Sequence, residues 1–512
     1  MSDIVFATLN ARYAHASLGL RCLRANLGEL RERSRIREFV IGQKTEEIVE
    51  KILAEQPRVL ALGVYIWNVE ESTRLVAQLK TVAPELIVVL GGPEVSYEVD
   101  EQRICALADY VVTGWGEVSF ATLARALLDG ERPAERVIKG LQPPLDTLAL
   151  PYAEYDDEDV RQRYLYVEAS RGCPFKCEFC LSALDKTAWP FALGPFLAEL
   201  ETLYARGARQ FKFVDRTFNL KVDTSLAILD FFLVKLEHAP DDPVFVHFEL
   251  IPDHLPERLK EAIARFPAGT LQFEIGIQTF DPEIQTRISR RQNNERAAEN
   301  LRWLRAHTRA HLHVDLIAGL PGEGIAQFAA GFDRLIELAP QEIQFGILKR
   351  LRGAPIARHT REWGLRFNPD PPYNILATNV INFADMQRLS RFSRYWDLLA
   401  NSGRFPRSLA LLLAEDPFAN FLAYADWLYA RTNQTHALAH ERMVELIHEY
   451  LGSKRGIAED VVVAAVVADY RGVGGRRRFA FEAADVSVPA PRPQRAAGAT
   501  PSRQARHLQG GA

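Results

Sequence analysis

The chain has 512 residues, a formal net charge of −4, 25% charged residues and only five cysteines. So few cysteines, in an odd number, exclude a disulfide-stapled secreted fold, and the charge balance neither favours nor excludes a nucleic-acid partner. A chain of this length predicts roughly three domains of about 150 residues each.

The N-terminal sequence has no basic region, long apolar core or small-residue cleavage site, so it does not predict a signal peptide. Nowhere does an uncharged apolar run approach the roughly 18 to 20 residues that a transmembrane helix needs. We therefore expect no membrane segment and a cytoplasmic location, where thiols stay reduced.

Residues 1–145 alternate continuously apolar strands with amphipathic helices. The strand candidates are IVFATL, VLALGVYIW, LIVVLGG and DYVVTG. Such strands are typical of a parallel sheet that is covered by helices on both faces. The pattern predicts an α/β fold that begins with a doubly wound, Rossmann-like domain. The following segment, residues 146–160, is rich in proline and acidic residues and predicts a linker.

Residues 161–372 repeat the alternation with longer units. The six strand candidates are YLYVEAS, QFKFVDRTF, VFVHFELIP, LQFEIGIQTF, HVDLIAGLP and EIQFGILKRL. Six β/α units predict an open, partial (β/α)6 barrel of the TIM type. In such barrels the chemistry gathers at the C-terminal ends of the strands.

Residues 373–470 form amphipathic helical patterns without a convincing strand, which predicts an all-helical C-terminal domain. In it Trp396 and Trp427 are expected to pack in the core. Residues 471–512 are rich in Gly, Pro, Ala and Arg and are predicted to be a disordered tail. We interpret the arginines of this tail as a solubilising extension in preference to a nucleic-acid contact.

The segment RGCPFKCEFC holds three of the five cysteines, Cys173, Cys177 and Cys180, directly after the first strand of the predicted barrel. Three thiolates at this spacing suit a [4Fe-4S] cluster and leave its fourth iron open, whereas electron-transfer clusters use four cysteines. Structural zinc needs four ligands, and no nearby residue completes such a set. Thiols that cluster by chance are the remaining alternative. The pattern favours a cluster that binds a ligand.

CPFKCEFC resembles the signature of the radical S-adenosylmethionine (SAM) superfamily. The resemblance implies that the open iron chelates SAM and that one electron cleaves it to methionine and a 5′-deoxyadenosyl radical. It also implies SAM contacts at later strand ends, although a solvated rim residue is the alternative for each. These candidates are Asp215, where other members carry a Gly-Gly-Glu-type turn, then Glu249, Glu274 and Gln278.

Two glycine turns at strand ends mark the first domain, LGGPE with Gly91 and Gly92, and TGWGE with Gly114 and Glu117. Glycines there let a backbone approach a ligand closely, although a generic tight turn also explains them. Placed before a radical SAM domain, these segments resemble the cobalamin-binding domain that precedes many such enzymes.

The motif D-x-H-x-x-G, which supplies a histidine to cobalt, is absent as written. Tyr13 stands where its aspartate belongs, and Gly19 follows His15 by four residues instead of three. We expect a cobalt without a protein histidine, with His15 as the remaining alternative. Three further residues follow the next apolar strand and are candidates for contact with the corrin, with core packing as the alternative for the two aromatics: Tyr65, Trp67 and Asn68.

The whole arrangement resembles a cobalamin-binding radical SAM subgroup with a C-terminal domain of unknown function. This implies an enzyme, first of all a methyltransferase acting on an unactivated carbon. Cobalamin-assisted rearrangement or oxidation, RNA modification and a non-enzymatic cobalamin sensor are the alternatives. The implied partners are an unknown substrate and a reducing protein such as flavodoxin or ferredoxin. Cys22 and Cys105 are lone thiols, which do not form the second cluster set of RNA-modifying relatives.

Overall fold

The computed structural model describes residues 2–482 and 500–509, which divide into two compact units. Unit 1 reaches Arg216 and also takes in the later segments Lys349–Ala357 and Asn368–Asn374. Unit 2 comprises Thr217–Leu348, Arg358–Phe367 and the residues from Ile375 onward. The first strands of the predicted barrel therefore share a unit with the N-terminal domain.

Unit 1 begins with a sheet of six parallel strands in the order β2-β1-β3-β4-β5-β6. The strands are β1 (Ile4–Asn10), β2 (Ser34–Val40), β3 (Val59–Gly63), β4 (Ile87–Gly91), β5 (Tyr110–Thr113) and β6 (Val137–Lys139). The intervening helices are α1 (Leu18–Ala25), α2 (Thr45–Leu53), α3 (Val69–Val82), α4 (Arg103–Leu107) and α5 (Glu117–Leu128). This order reverses between β1 and β3, and doubly wound folds bind ligands outside the carboxyl ends of the strands at such a point.

Both faces of this sheet are buried, which confirms the predicted doubly wound fold. Along β1, Val5 and Ala7 join one apolar core with α2 and α3. Their neighbours Ile4 and Phe6 join a second core with α1 and α5 on the opposite face. Successive strand residues point to opposite faces, so a strand that is buried on both sides is continuously apolar.

Unit 1 continues with a second, smaller set of elements. These are α6 (Asp157–Gln162), β7 (Leu165–Val167), β8 (Ser170–Arg171), β9 (Trp189–Pro190), α7 (Leu193–Ala205) and β10 (Gln210–Phe213). β7 pairs with β10 in parallel, and β8 pairs with β9 in antiparallel. The alternation predicted for the start of the barrel is thus present.

The segment predicted as a linker, residues 146–160, is packed into unit 1. Tyr152 and Tyr155 are completely buried, and the carboxylate of Glu154 pairs with Arg24 and Arg31. The assignment of these residues as a linker between domains stays a prediction. The segment's aromatic side chains bury apolar area, and the buried Glu154 pairs with two partly exposed arginines.

Unit 2 opens with four parallel strands in the order β14-β13-β12-β11. Its first elements are α8 (Val222–His238), β11 (Phe245–Leu250), α9 (Glu257–Ala264), β12 (Leu271–Gln278), α10 (Pro282–Arg287), α11 (Asn294–His307), β13 (His311–Ala318), α12 (Ile325–Glu337) and β14 (Glu342–Ile347). Along most of β12 and β13, fully buried residues alternate with partly exposed ones. One face of each strand therefore packs in the core, and the other faces an open interior.

The C-terminal part of unit 2 is mostly helical. Its elements are the short pair β15 (Arg366–Phe367) and β16 (Ile375–Ala377), then α13 (Phe383–Leu399), α14 (Pro406–Leu413), α15 (Pro417–Thr432), α16 (His440–Ser453), α17 (Glu459–Gly472) and α18 (Ser502–Gln509). The helices begin later than the predicted residue 373, since β16 precedes them. Trp396 packs in an aromatic core against Phe332 and Phe421, and the partly buried Trp427 packs on Tyr450.

The predicted disordered tail, residues 471–512, is wrong for part of its length. α18 is a helix that buries Ala505 and pairs Arg503 with Glu342 at 2.7 Å. Residues 483–499 and 510–512 lie outside the described part of the chain. Among the described residues, no helix is long and apolar enough to cross a membrane.

Candidate active site

The three predicted cluster ligands lie on one loop, Gly172–Ala188, which we call the cysteine loop. The short antiparallel pair of β8 and β9 closes the loop at its base. Cys173 is buried, whereas Cys177 and Cys180 are half-buried. The backbone N–H of Cys180 donates to the carbonyl of Cys177 at 3.1 Å, which forms a turn between these two ligands.

Gly172 makes the closure of this loop possible. Its φ is +91°, and a Cβ at this position would lie 2.5 Å from the Thr187 hydroxyl and 2.8 Å from the Ala188 nitrogen. The next residue, Cys173, donates its N–H to the carbonyl of Asp185 at 2.8 Å. The glycine of the RGCP sequence therefore serves the fold of the loop that carries the cysteines.

The donor set fits an iron–sulfur cluster because it consists of three thiols on one closed loop. Burial raises the pKa of Cys173 to about 11, so this thiol is protonated at neutral pH. It loses the proton when it binds iron as a thiolate. Among the described residues, no three His, Cys, Asp or Glu side chains are already gathered to hold a metal ion. The assignment of Cys173, Cys177 and Cys180 as ligands stays a prediction.

Asp215, which follows β10, braces the start of the cysteine loop. Its carboxylate accepts a hydrogen bond from the N–H of Ala169 at 2.9 Å and from the hydroxyl of Ser170 at 2.6 Å. Burial raises the pKa of Asp215 to about 7. The geometry thus gives Asp215 a structural partner that the sequence did not indicate, and its contact with SAM stays a prediction.

Arg171 is a site residue that the sequence reasoning missed. Its guanidinium pairs with Glu117 at 2.6 Å and with Glu168, and it lies over the ring of Trp115 at 4.7 Å. All three charged groups are largely buried, with side-chain exposures of 17%, 6% and 9% for Arg171, Glu117 and Glu168. Glu117 was predicted as a cobalamin contact, and its carboxylate instead pairs with the residue that precedes the cysteine loop.

A cavity of about 280 Å³ opens at the carboxyl edge of the N-terminal sheet, between α1 and α5. We call it the edge cavity. Its lining is mostly apolar and includes these predicted residues: Tyr65, Gly91, Gly92, Gly114 and Glu117. Glu168 and Arg171 complete the wall, so the buried ion pairs next to the cysteine loop also border this cavity.

Gly92 and Gly114 have different reasons to be glycine. A Cβ on Gly92, whose φ is +108°, would lie 2.5 Å from the carbonyl oxygen of Val64. A Cβ on Gly114, whose φ is +69°, would meet no atom within 4 Å. Gly92 is required by contact between the ends of two strands, whereas Gly114 leaves open space beside the cavity.

The loop after β3 carries the predicted corrin contacts. Tyr65 and Trp67 stack with ring centroids 4.4 Å apart, and Trp67 is 45% exposed. Asn68 is completely buried, accepts from the N–H of Tyr65 at 2.8 Å and donates to the carbonyl of Leu9 at 2.9 Å. The amide of Asn68 thus holds the loop together, and its contact with the corrin stays a prediction.

His15, the remaining candidate for a cobalt ligand, has a partner inside the protein. Its Nδ1 lies 2.7 Å from the hydroxyl of Tyr166. Burial lowers the pKa of His15, and the nearby Lys212 and Arg12 lower it further. The ring is therefore neutral at pH 7 and tied to the residues around β7.

Unit 2 gathers acidic residues on the open face of adjacent strands. Glu249 on β11 lies opposite Glu274 on β12, and Glu274 lies opposite His313 on β13. Glu274 also lies 3.2 Å from the imidazole of His247. Gln278 ends β12 at a bulge with φ +70°, and its buried side-chain oxygen has no hydrogen-bond partner in the described part of the chain.

Asp315 joins this group and was missed from the sequence. It lies two residues after His313, on the same face of β13. Its buried Oδ1 lies 3.8 Å from the imidazole of His313 and has no hydrogen-bond partner among the described residues. Burial raises the pKa of Asp315 well above its usual range, and the charges of Glu274 and Glu249 raise it further. The polar i, i+2 pair in HVDLIAGLP was the signal that could have indicated it.

Three family models match consecutive parts of the chain. The B12 binding domain matches residues 4–124, the Radical SAM superfamily matches residues 167–335, and a protein family of unknown function, DUF4080, matches residues 361–476. The first match covers the sheet that forms the edge cavity. The second covers the cysteine loop and the strands up to α12.

Two curated relatives match most of the chain. One is 2-(S-pantetheinyl)-carbapenam-3-carboxylate methyltransferase of Streptantibioticus cattleyicolor, 24% identical over 83% of this chain and 70% of its own length. The other is the cobalamin-dependent radical SAM methyltransferase TokK of Streptomyces tokunonensis, 23% identical over 83% of this chain and 69% of its own length.

A solved structure shares the fold. The radical SAM methyltransferase TsrM of Kitasatospora setae, with cobalamin and a [4Fe-4S] cluster bound, superposes with a TM-score of 0.56 at 18% identity. The match covers 71% of this chain and 75% of that one.

Proposed function

We propose that this chain, an enzyme that joins a B12-binding domain to a radical SAM domain, transfers a methyl group to an unactivated carbon of its substrate. The observation that carries the proposal is the buried Arg171. This residue directly precedes the cysteine loop and pairs with Glu117 at the wall of the edge cavity. One packed unit therefore contains both the thiols for a cluster and a cavity for cobalamin.

The two relatives described above support the choice of methyl transfer, since both are methyltransferases and both match over 83% of the chain. When bound, a reduced cluster supplies the electron that cleaves SAM to methionine and a 5′-deoxyadenosyl radical, and methylcobalamin supplies the methyl group. We assign Cys173, Cys177 and Cys180 as the cluster ligands.

The remaining residues of unit 1 position these groups. Asp215 holds Ala169 and Ser170, which lead into the cysteine loop, and Glu117 holds Arg171, the residue that precedes the loop. On the cobalamin side, the exposed face of Trp67 and the glycines Gly91 and Gly114 offer an apolar surface for a large planar ring. Because His15 is bound to Tyr166, we propose that cobalt receives no histidine from this chain.

Unit 2 contributes the polar groups for SAM. Glu249, Glu274 and Gln278 lie on the open face of their strands, and carboxylates suit the amino group and ribose hydroxyls of SAM. Asp315 adds a carboxyl group whose pKa burial raises well above its usual range, and the protonated form of this group can donate a hydrogen bond. These assignments rest on placement within unit 2.

We further propose that the enzyme works in the cytoplasm with a reducing partner such as flavodoxin or ferredoxin. SAM cleavage consumes one electron, and a low-potential donor protein is the chemical class that supplies it.

Anaerobic reconstitution with iron, sulfide and hydroxocobalamin tests the proposal. We expect about four irons and one cobalt per chain in the wild type, and loss of iron alone in a Cys173→Ala/Cys177→Ala/Cys180→Ala variant. Cys105→Ala is the matched control, since this thiol is buried outside the cysteine loop and the edge cavity. Iron without cobalt in the wild type would refute the role of the N-terminal domain and methyl transfer with it.

A further inference from the structure

A second cavity lies at the opposite end of unit 2 from the acidic strand ends. It has a volume of about 290 Å³ and is bordered by the start of β14, the end of α11, and helices α13 and α18. We call it the basal cavity. Glu249, Glu274 and Asp315 lie further along their strands toward the carboxyl ends. None of these acidic residues lines the basal cavity.

Two arginines meet at the basal cavity without a carboxylate. Arg506 on α18 donates its Nε to the carbonyl of Ser402 at 2.7 Å, and Arg305 on α11 lies at the solvent-exposed mouth. Within residues 2–482 and 500–509, neither arginine has an acidic side chain at ion-pair distance. Burial lowers the pKa of both guanidinium groups, and the charges of Arg404 and Arg503 lower that of Arg506 further.

The nearest buried acid is already committed. Glu342 pairs with Arg503 at 2.7 Å and with the imidazole of His311 at 3.1 Å. These partners hold the pKa of Glu342 at about 2, so it stays ionised and paired. Among the described residues, Arg305 and Arg506 therefore have no ion pair of their own, and the charge of Glu342 acts on Arg506 only from a longer distance. A partly buried guanidinium without a direct counter-ion is costly.

A neutral donor at the same cavity also lacks an acceptor. Trp396 on α13 lines the basal cavity and is only 3% exposed, yet its indole N–H makes no hydrogen bond within the described chain. An indole nitrogen is a donor only, so an oxygen acceptor is the partner it needs. Donors on three different helices, α11, α13 and α18, therefore surround a cavity that has room for several acceptor oxygens.

We propose that the basal cavity binds a small oxyanion of the phosphate class, held by Arg305, Arg506 and the indole N–H of Trp396. Guanidinium groups bind phosphate oxygens with paired hydrogen bonds, and a tetrahedral anion presents oxygens in several directions. About 290 Å³ holds a phosphate group with some of its water, since a water takes about 30 Å³ in the liquid. The site is independent of the cluster and cobalamin residues.

Calorimetric titration of the full-length protein with inorganic phosphate at fixed ionic strength tests this site. The wild type is expected to bind one phosphate per chain, and Arg506→Gln and Arg305→Gln to bind roughly tenfold more weakly or worse. Arg302→Gln, on the exposed face of the same helix α11, is the control and should bind like the wild type. Methyl phosphate in a parallel titration distinguishes a phosphate monoester ligand, which it would mimic, from free phosphate.

Trp396→Phe keeps an aromatic ring in the core and removes only the N–H donor, so it should also weaken phosphate binding. Circular dichroism melting identifies any variant that fails to fold, and the remaining variants still test the site. The proposal is overturned if the wild type binds no phosphate above the level of Arg506→Gln. Equal binding by all variants means an adventitious ion only and overturns it as well.

Discussion

The charged residues around the cysteine loop and those on the open strands of unit 2 are arranged in opposite ways. At the loop, Arg171 satisfies Glu117 and Glu168, and Asp215 accepts two hydrogen bonds. On the strands, one oxygen of Asp315 makes no hydrogen bond to a described residue and lies 3.8 Å from the imidazole of His313. The side-chain oxygen of Gln278 makes no such hydrogen bond either. Paired groups hold a structure in place, whereas unmet hydrogen-bonding capacity marks the surface that a ligand completes.

The largest effect on stability is expected where the pairing is most complete. Arg171→Met leaves Glu117 and Glu168 buried without a cation, which should lower the free energy of unfolding by about 3 to 5 kcal/mol. Urea unfolding measures the change, and the exposed Arg161→Met is the control. A loss below about 1 kcal/mol would show that the network around Arg171 is not a structural brace.

Gly92 and Gly114, which both line the edge cavity, should differ in how much stability an alanine substitution costs. In Gly92→Ala the new Cβ meets the carbonyl of Val64, so the loss of stability should be about 2 to 4 kcal/mol. Gly114→Ala places its Cβ in open space and should cost about 1 kcal/mol through its positive φ alone. Thermal unfolding of both variants provides the measurement. Equal losses would contradict the different reasons given for the two glycines.

The buried Asp215 should make the free energy of unfolding depend on pH. Its pKa rises from an ordinary value near 4 to about 7 in the folded protein, so the folded state holds its proton more tightly. The stability that this contributes is fully present below about pH 4 and is lost as the pH rises to about 7. Unfolding free energies measured across this window should fall less steeply in Asp215→Asn.

The exposed Asp146→Asn is the control for this titration, and its slope should match that of the wild type. A slope in Asp215→Asn identical to the wild type would show that Asp215 does not carry the proton. The titration is measured on the protein without iron, so that cluster binding at the cysteine loop does not contribute to the slope.

The smallest effect on stability is expected on the strands of unit 2. Asp315→Asn removes a carboxyl group that faces Glu249 and Glu274, so the free energy of unfolding at pH 7 should change by less than about 1 kcal/mol or should rise. Asp315→Leu also removes the hydrogen-bond donor, which Asn would keep as its amide N–H, so SAM cleavage in that variant should fall by about tenfold or more. Unchanged cleavage combined with a large loss of stability would assign Asp315 to the scaffold.

Much of the fold follows from local patterns in the sequence. The apolar strands of residues 1–145 alternate with amphipathic helices, and this periodicity alone predicts the parallel sheet that is present. The packing of the linker segment was not predicted, because composition does not reveal that Tyr152 and Tyr155 are buried. The helix α18 was missed because its arginines, in a Gly- and Pro-rich tail, indicate disorder until Glu342 and Asp397 are seen to pair with Arg503.

The residues of the candidate site also fall into two groups, those that a motif predicts and those that only the folded structure reveals. Residues such as Cys173 and Gly92 belong to short sequence motifs, a cysteine spacing and a Gly-Gly turn after a strand, so they can be singled out from the sequence. Arg171 and Asn68 act through partners on other elements, Glu117 for Arg171 and the carbonyl of Leu9 for Asn68. Such long-range pairs leave no local pattern, so only the folded structure shows that Arg171, next to the cysteine loop, also lines the edge cavity.

The most direct test of the central claim follows the methyl group of SAM. The reconstituted, reduced enzyme is incubated with hydroxocobalamin and SAM that carries a trideuterated methyl group, and the products are identified by mass spectrometry. Our account predicts trideuterated methylcobalamin and S-adenosylhomocysteine, together with 5′-deoxyadenosine. Formation of 5′-deoxyadenosine without labelled methylcobalamin would contradict methyl transfer and favour radical chemistry in which cobalamin carries no methyl group.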